Sequence, residues 1–254
     1  MRSATMPNIK HKILGKADGN FDPNQPDTRL FIDTLDAKFG NLDGADKFFF
    51  PRCNSTNRVV AWKKENYQLD FDFDTTKNDA DGIMIDQLRV VGMLFNADDP
   101  TIFIYEDKKR RFFLLHGGFR CLVPELKKGK RERGIIRSAF EDFQIDAGDS
   151  KVWVGNGIGP CCYGAEHLPE MTDFSAKVPI GQATRGLRAG KRSVDLYQLI
   201  YQQLVEGQKV KPTHMQFDTK CTCCDGMLEL DPKYHSDCRS GQLAGRNAVG
   251  FWMT

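Results

Sequence analysis

The stretch FFLLHGGFRCL, residues 112–122, runs four apolar residues into a histidine, two glycines and an arginine. His116 therefore stands where a buried strand ends, a costly place for a polar group unless it is bonded or used. An imidazole there serves as an acid–base group, as a metal ligand, or simply as a core histidine bonded to a backbone carbonyl. Three other loops share the pattern of an apolar run breaking into polar or glycine residues. They are NADDP (96–100), GNGIGPCCYG (155–164) and SDCRSGQLAGR (236–246). Asp98 and Asp99 are either turn residues ahead of Pro100 or carboxylates of a site. GNGIGP resembles a loop that cradles phosphate on backbone N–H groups, which singles out Gly157 and Gly159. Arg239 and Arg246 are either forked donors for such an anion or solvated surface charges.

The cysteines form a second pattern. Cys221-x-x-Cys224 followed by His235-x-x-Cys238 has the ligand types and knuckle spacing of a structural zinc site. The chain carries 8 cysteines in 254 residues. The adjacent pairs Cys161–Cys162 and Cys223–Cys224 fit a disulfide framework poorly, and the start has no apolar signal-peptide core. Reduced thiols in the cytosol or an organelle matrix are expected. The opening MRSATMPNIKHKILGK is basic and free of acids until Asp18, which suits a short organelle-targeting leader. A net charge of +2 gives no electrostatic reason to expect nucleic acid or an anionic membrane as the main partner. No run approaches the ~18 apolar residues of a membrane helix.

The elements that must position these loops read as grouped strands followed by late helices. FFFPRCNSTNRVVAW (48–62) is strand, loop, strand, and QLDFDFDTT (68–76) is a half-exposed strand. DGIMI, RVVGMLF, TIFIYED and RRFFLLHGG then suggest a meander at a sheet centre. In RERGIIRSAFEDFQI (131–145), Ile135, Ile136, Ala139, Phe140 and Phe143 share a helical face. SVDLYQLIYQQLVEG (193–207) repeats that spacing with Val194, Tyr197, Ile200, Tyr201 and Leu204, and Gly207 is placed as its C-cap. AGRNAVGFWM is a closing strand. The composition, 40% hydrophobic and 28% charged, is that of a globular chain. The fold class expected is α+β, a single domain over residues 31–254 behind an irregular extension, residues 1–30.

Taken in order, the loops resemble the laccase-domain family, variously named multicopper polyphenol oxidoreductase, peptidoglycan editing factor and purine nucleoside phosphorylase. NADDPTIFI is similar to that family's Thr-Ala-Asp-Cys-x-Pro motif, and HGGFRCL to its His-Ala-Gly-Trp-Arg-Gly. GIGPCCYG is nearly identical to the next motif. VDLYQLIYQQL, then CTCC, then CRSGQLAGRNAVGFWM continue the series, so the resemblance spans roughly residues 48–254.

The resemblance implies a layered α/β/β/α sandwich of mixed sheets and a metal-capable triad of His, Cys and His. His116 matches the second histidine, and Asp99 stands where the cysteine is expected. The first histidine is missing from PRCNSTNRVV; spacing to Val59 puts Ser55 there, and a small register shift offers Cys53. A zinc set of Cys53, Asp99 and His116 remains open, as does a metal-free acid–base pair with Asp99 orienting His116. Arg120, Arg239 and Arg246 match positions that hold substrate or phosphate, with Gly157, Gly159 and Cys161 beside them. The activity implied is phosphorolysis or deamination of adenosine- or inosine-type nucleosides. The altered triad leaves two alternatives: a catalytically inactive binding or structural subunit of a larger assembly, with KKGKRERG (127–134) and RGLRAGKR (185–192) as contact surfaces, or a peptidoglycan-precursor editing factor. A multicopper centre is not expected, because five scattered histidines (11, 116, 167, 214 and 235) cannot supply three copper types.

Overall fold

The computed structural model describes residues 9–18, 20–21, 35, 37–38, 47–51, 53, 56–62, 79–123, 126–127, 130–131, 133–164, 180–182, 190–225, 234–240 and 245–254. In chain order the strands and helices are β1 (Ile9–Leu14), β2 (Lys47–Phe49), β3 (Val59–Ala61), β4 (Gly82–Ile85), β5 (Val90–Asn96), β6 (Thr101–Glu106) and β7 (Arg111–His116), then α1 (Phe119–Leu122). There follow β8 (Leu126–Lys127), β9 (Lys130–Arg131), α2 (Ile135–Asp142), β10 (Ser150–Val154), β11 (Ile180–Gln182), β12 (Arg192–Val194) and α3 (Leu196–Gln202). β13 (Met215–Phe217), α4 (Asp237–Ser240) and β14 (Asn247–Met253) close the chain.

Two mixed sheets stack face to face. One has the order β1-β14-β5-β2 and the other β13-β10-β6-β7-β4-β3. Alternation along each strand builds three apolar layers at once. Phe112 and Leu114 of β7 face the layer between the sheets, together with Phe103, Tyr105, Ile83, Ile85, Val90, Leu94, Val249 and Phe251. Phe113 and Leu115 face the opposite way, onto Ile135, Ile136, Ala139 and Phe140 of α2 and Leu196, Leu199 and Ile200 of α3. Val91, Met93 and Phe95 of β5 cover the outer face of the smaller sheet with Trp252, Leu14, Phe21 and Leu35. Strands covered on both faces read as unbroken apolar runs, which is why DGIMI, RVVGMLF and TIFIYE show so little polar alternation. The single mixed α and β domain expected from the sequence is the one found.

Three local expectations are corrected. The four runs from β4 to β7 do not form one meander: β6, β7 and β4 are neighbours, while β5 belongs to the other sheet. Gly92 makes that stacking close, since a Cβ there would lie 2.7 Å from Ile85 Cδ1 and 2.9 Å from Phe112 Cε2. The N-terminal stretch is not wholly irregular. Ile9–Leu14 pairs antiparallel with β14, Ile9 opposite Met253 and Leu14 opposite Ala248, and so extends the smaller sheet. Its mixed lysine and isoleucine pattern is that of a strand paired on one side only. The helix at 193–207 is capped at its start by Asp195, which accepts from Gln198 N–H at 3.0 Å. It does not end on a left-handed Gly207. It widens into a π turn over Gln203–Gly207, and Lys209 takes the left-handed conformation at φ 65°. The strand expected at 68–76 lies outside the described residues, and so do Ser55 and, of the two basic segments, residues 128, 129, 132 and 185–189.

Candidate functional site

Strand order puts His116 between two acids. β7 is flanked by β4 on one side and β6 on the other, with Gly82 opposite Leu115 and Thr101 opposite His116. The residue ahead of β4 is Asp81, and Asp99 lies just ahead of β6, so both carboxylates arrive at the end of β7. Nε2 of His116 is 3.0 Å from Asp99 Oδ2, and Nδ1 is 3.9 Å from Asp81 Oδ1. Asp81 is fully buried, whereas Asp99 is 36% exposed, so the pair has an inner and an outer carboxylate.

The inner carboxylate is held from below. Its Oδ2 accepts from the Asn57 N–H at 2.7 Å and from the Thr56 hydroxyl at 3.0 Å. Asn57 reaches it by adopting φ 55°, a left-handed conformation that asparagine tolerates better than most residues. Burial alone would raise the Asp81 carboxyl; bonding to His116, Asn57 and Thr56 outweighs it and holds the group at about 2. Burial likewise opposes a charge on His116. The acidic groups of Cys53, Asp99 and Asp81 around the ring prevail and keep the imidazolium well above the usual histidine range. Two thiols complete the surroundings. Cys121 Sγ lies 3.5 Å from His116 Nδ1, and burial pushes the Cys53 thiol up to about 12.

The two glycines after His116 are a packing requirement. A Cβ on Gly117 would sit 2.5 Å from Pro100 O, and one on Gly118 would sit 2.9 Å from Asp99 Oδ2 and 3.1 Å from His116 Cε1. Gly117 N–H also donates to Pro100 O at 2.8 Å, which ties the end of β7 to the loop that carries Asp99.

The residues singled out in the sequence divide into those that join this centre and those committed elsewhere. Asp99, His116 and Cys53 lie in one place, but the metal-capable group there is Cys53, Asp81 and His116, whose ligand atoms all lie within 4.8 Å of one another. Asp81 thus occupies the ligand position anticipated for Asp99, because Asp99 bonds the other ring nitrogen. A thiol, a carboxylate and an imidazole suit zinc in type and in number for a three-ligand site. Asp99 then has the geometry of an outer partner that orients the histidine. Arg120 is exposed on α1, one turn beyond His116. Arg246, just ahead of β14, pairs with Asp237 at 3.0 Å. Arg239 belongs to α4 between them in sequence.

The glycine loop differs from its expected role as a phosphate cradle. Gly159 N–H is directed at Cys221 Sγ at 3.2 Å, and Gly157 forms an isolated bridge with Cys221. Tyr197, whose hydroxyl burial keeps protonated, accepts from Gly157 N–H. Cys161 is buried against Cys224, their sulfurs 3.4 Å apart. The zinc knuckle is also rearranged. Cys221 and Cys224 gather with Cys161 and Cys162, while the His235 ring lies against Gly245 and the His235 backbone N–H donates to Asn247 Oδ1 at 2.9 Å. Cys238 Sγ donates to Cys162 O at 3.6 Å. Spacing within 221–238 could not reveal this, because the partners of Cys221 and Cys224 come from a loop some 60 residues earlier.

Asp81 was missed from the sequence, and Asp98, singled out there beside Asp99, proves structural. Asp81 has a visible signal, an acid heading a strand of wholly apolar residues. Asp98 is a brace: it accepts from the Thr222 hydroxyl at 2.7 Å and from Cys238 N–H at 2.8 Å. The described histidines are dispersed. His11 stacks on Phe251, His214 contacts Ser150 O at 3.0 Å, and neither shares a site with His116.

The model of the multi-copper polyphenol oxidoreductase laccase family matches residues 38–254. The chain belongs to that family. β1 lies ahead of the match, yet is paired into the fold. Among solved structures, the laccase-family fold here is similar to YlmD from Geobacillus stearothermophilus, with 18% identity, a TM-score of 0.68 and coverage of 100% of this chain and 98% of that one. It is similar also to hypothetical protein YfiH of Bacillus licheniformis, with 17% identity, a TM-score of 0.69 and coverage of 92% and 85%. Neisseria meningitidis protein NMB0706 matches at 16% identity and a TM-score of 0.66, over 98% and 96%. At such identities the likeness concerns the fold. No curated protein matches the chain. No helix among the described residues is long and apolar enough to cross a membrane.

Proposed function

We propose that the chain cleaves adenosine- or inosine-type purine nucleosides by phosphorolysis, with His116 as the acid for the departing base. The observation that carries this reading is the bracketing of His116 by an inner and an outer carboxylate, at 3.9 and 3.0 Å. Asp81 fixes the ring from behind. Asp99, open to solvent, is the face that a ligand meets. Phosphate oxygen bonds to the sugar C1′ as the bond from C1′ to the base nitrogen breaks, and the Nε2 proton passes by way of Asp99 Oδ2 to the base. Products are a sugar 1-phosphate and a free purine. Arg120 is the forked cation nearest along the chain to His116 and suits the incoming phosphate. Cys53, Asp81 and His116 are the residues that would hold a zinc ion, which supplies Lewis-acid character when bound.

The second reading, a binding or structural subunit without turnover, is favoured by one observation: Asp99 stands where the family motif has cysteine, and the first histidine is replaced. Release of free base from adenosine and inosine, followed by chromatography with and without phosphate, decides between the two. Phosphate-dependent release that falls by about 10²–10⁴-fold in His116→Ala is the expected result. Absence of release, or release unchanged in His116→Ala, overturns the enzymatic reading.

A further inference from the structure

The loop after β10 and the loop after β13 are built as one unit. The two strands run parallel, Val152 opposite Met215 and Val154 opposite Phe217, so both chains leave the sheet in the same direction. The pairing continues beyond the sheet, where Gly157 bridges Cys221 and Thr222 N–H donates to Gly157 O at 3.0 Å. A tight turn follows, in which Cys162 N–H and Tyr163 N–H both donate to Gly159 O at 3.0 Å. The outcome is that Cys161, Cys162, Cys221 and Cys224 converge, with all four sulfurs within 4.8 Å of one another. Cys161, Cys162 and Cys221 are buried and Cys224 is half-buried.

Buried cysteines often act only as small apolar fillers. Four converging thiols from two braced loops are a more specific arrangement. Sulfurs bound tetrahedrally at about 2.3 Å from zinc lie about 3.8 Å apart. That separation falls between the 3.4 Å of Cys161 and Cys224 and the 4.8 Å limit of the group, so no sulfur pair has to change its spacing by more than about 1 Å, within reach of side-chain rotation. The Gly159 N–H already points at Cys221 Sγ at 3.2 Å, the kind of outer hydrogen bond that supports a thiolate ligand. An all-thiol set of four is closed and soft, which suits a structural rather than a catalytic metal.

We propose that Cys161, Cys162, Cys221 and Cys224 form a tetrathiolate zinc site that fastens these two loops to each other. Binding exchanges four thiol protons for one Zn²⁺, with no change of oxidation state. The site shares no residue with the group at His116. Its mechanical link to that group is Asp98, which grips Thr222 and Cys238 and adjoins Asp99, while Ile158 N–H donates to Asp98 O at 2.6 Å. The metal therefore sets the footing of the loop that presents Asp99.

The test uses the full chain in a His116→Ala background, which removes the other donor set. Zinc is measured by elemental analysis, zinc coordination by X-ray absorption, and cobalt substitution by the near-ultraviolet thiolate-to-cobalt charge-transfer bands. The expected result is one zinc per chain with four sulfurs at about 2.3 Å, a strong cobalt–thiolate band, and loss of both metal and band in Cys224→Ser. Cys53→Ser, in the other donor group, should keep both. The proposal is overturned by full zinc retention in Cys224→Ser, by a shell containing nitrogen or oxygen, or by a chain that takes up neither ion. Recovery of the cysteines as disulfides by mass spectrometry overturns it equally. Should Cys224→Ser fail to fold, the sulfur count from X-ray absorption decides alone.

Discussion

Replacing Asp81 by asparagine removes a charge and almost nothing else. The amide oxygen keeps one acceptor for Asn57 N–H or the Thr56 hydroxyl, but no longer offers His116 Nδ1 an anion at 3.9 Å. The carboxyl is held at about 2 against an ordinary 3.8, a difference of about 60-fold in proton affinity. At about 1.4 kcal/mol per tenfold, that is about 2 kcal/mol of folding free energy. Asp81 is fully buried, so solvent does not dilute the effect. Because the folded value is depressed, this stability is fully present above the unfolded value near 4 and lost as pH falls through about 2. His116 works in the opposite sense. Its raised value contributes stability below about 6.5 that disappears as pH rises through the folded value. Urea unfolding of wild type and Asp81→Asn from pH 3 to 7, with proton NMR titration of His116, reads both terms. The expected gap is about 2 kcal/mol at pH 6 to 7, narrowing below pH 4, with a lower His116 titration point in the variant. Equal stabilities at pH 6, or a gap that does not change with acid, would show that Asp81 is not an ionised partner of the imidazole.

Two further substitutions probe the same framework. Gly118→Ala forces a Cβ to 2.9 Å from Asp99 Oδ2 and 3.1 Å from His116 Cε1. It should cost about 1–3 kcal/mol in urea unfolding, lower the His116 titration point in NMR and abolish any base release. Phe251→Ala removes a ring stacked 4.1 Å from Phe103 in the layer between the sheets. It should cost about 3–5 kcal/mol in the same unfolding assay while leaving His116 titration unchanged.

Much of the fold was legible because its strands are covered on both sides. DGIMI, RVVGMLF, TIFIYE and RFFLLH could only be buried strands, and the face of Ile135, Ile136, Ala139 and Phe140 could only be a helix against them. What those runs could not state was their neighbours. Two-sided burial erases the alternation that would distinguish one sheet from another, so β5 was placed beside β4 in sequence although it lies across the core from it. β1 was hidden for the reverse reason: its lysines and histidine dilute the apolar signal along a strand with a partner on one side only.

The candidate site shows the same division. Sequence alone named His116 and Asp99, since an imidazole at the end of an apolar run and acids before a proline are local facts, whereas Cys53 came only through the family resemblance. The same local reading marked the cysteine-rich loops as chemically distinctive. Tertiary structure decided who meets whom. By setting β7 between β4 and β6 it delivered Asp81 to one ring nitrogen and Asp99 to the other. By running β10 parallel to β13 it exchanged His235 and Cys238 for Cys161 and Cys162 around Cys221 and Cys224. A side chain's type is written one residue at a time. Its partners are set by strand order, which depends on contacts between segments far apart along the chain.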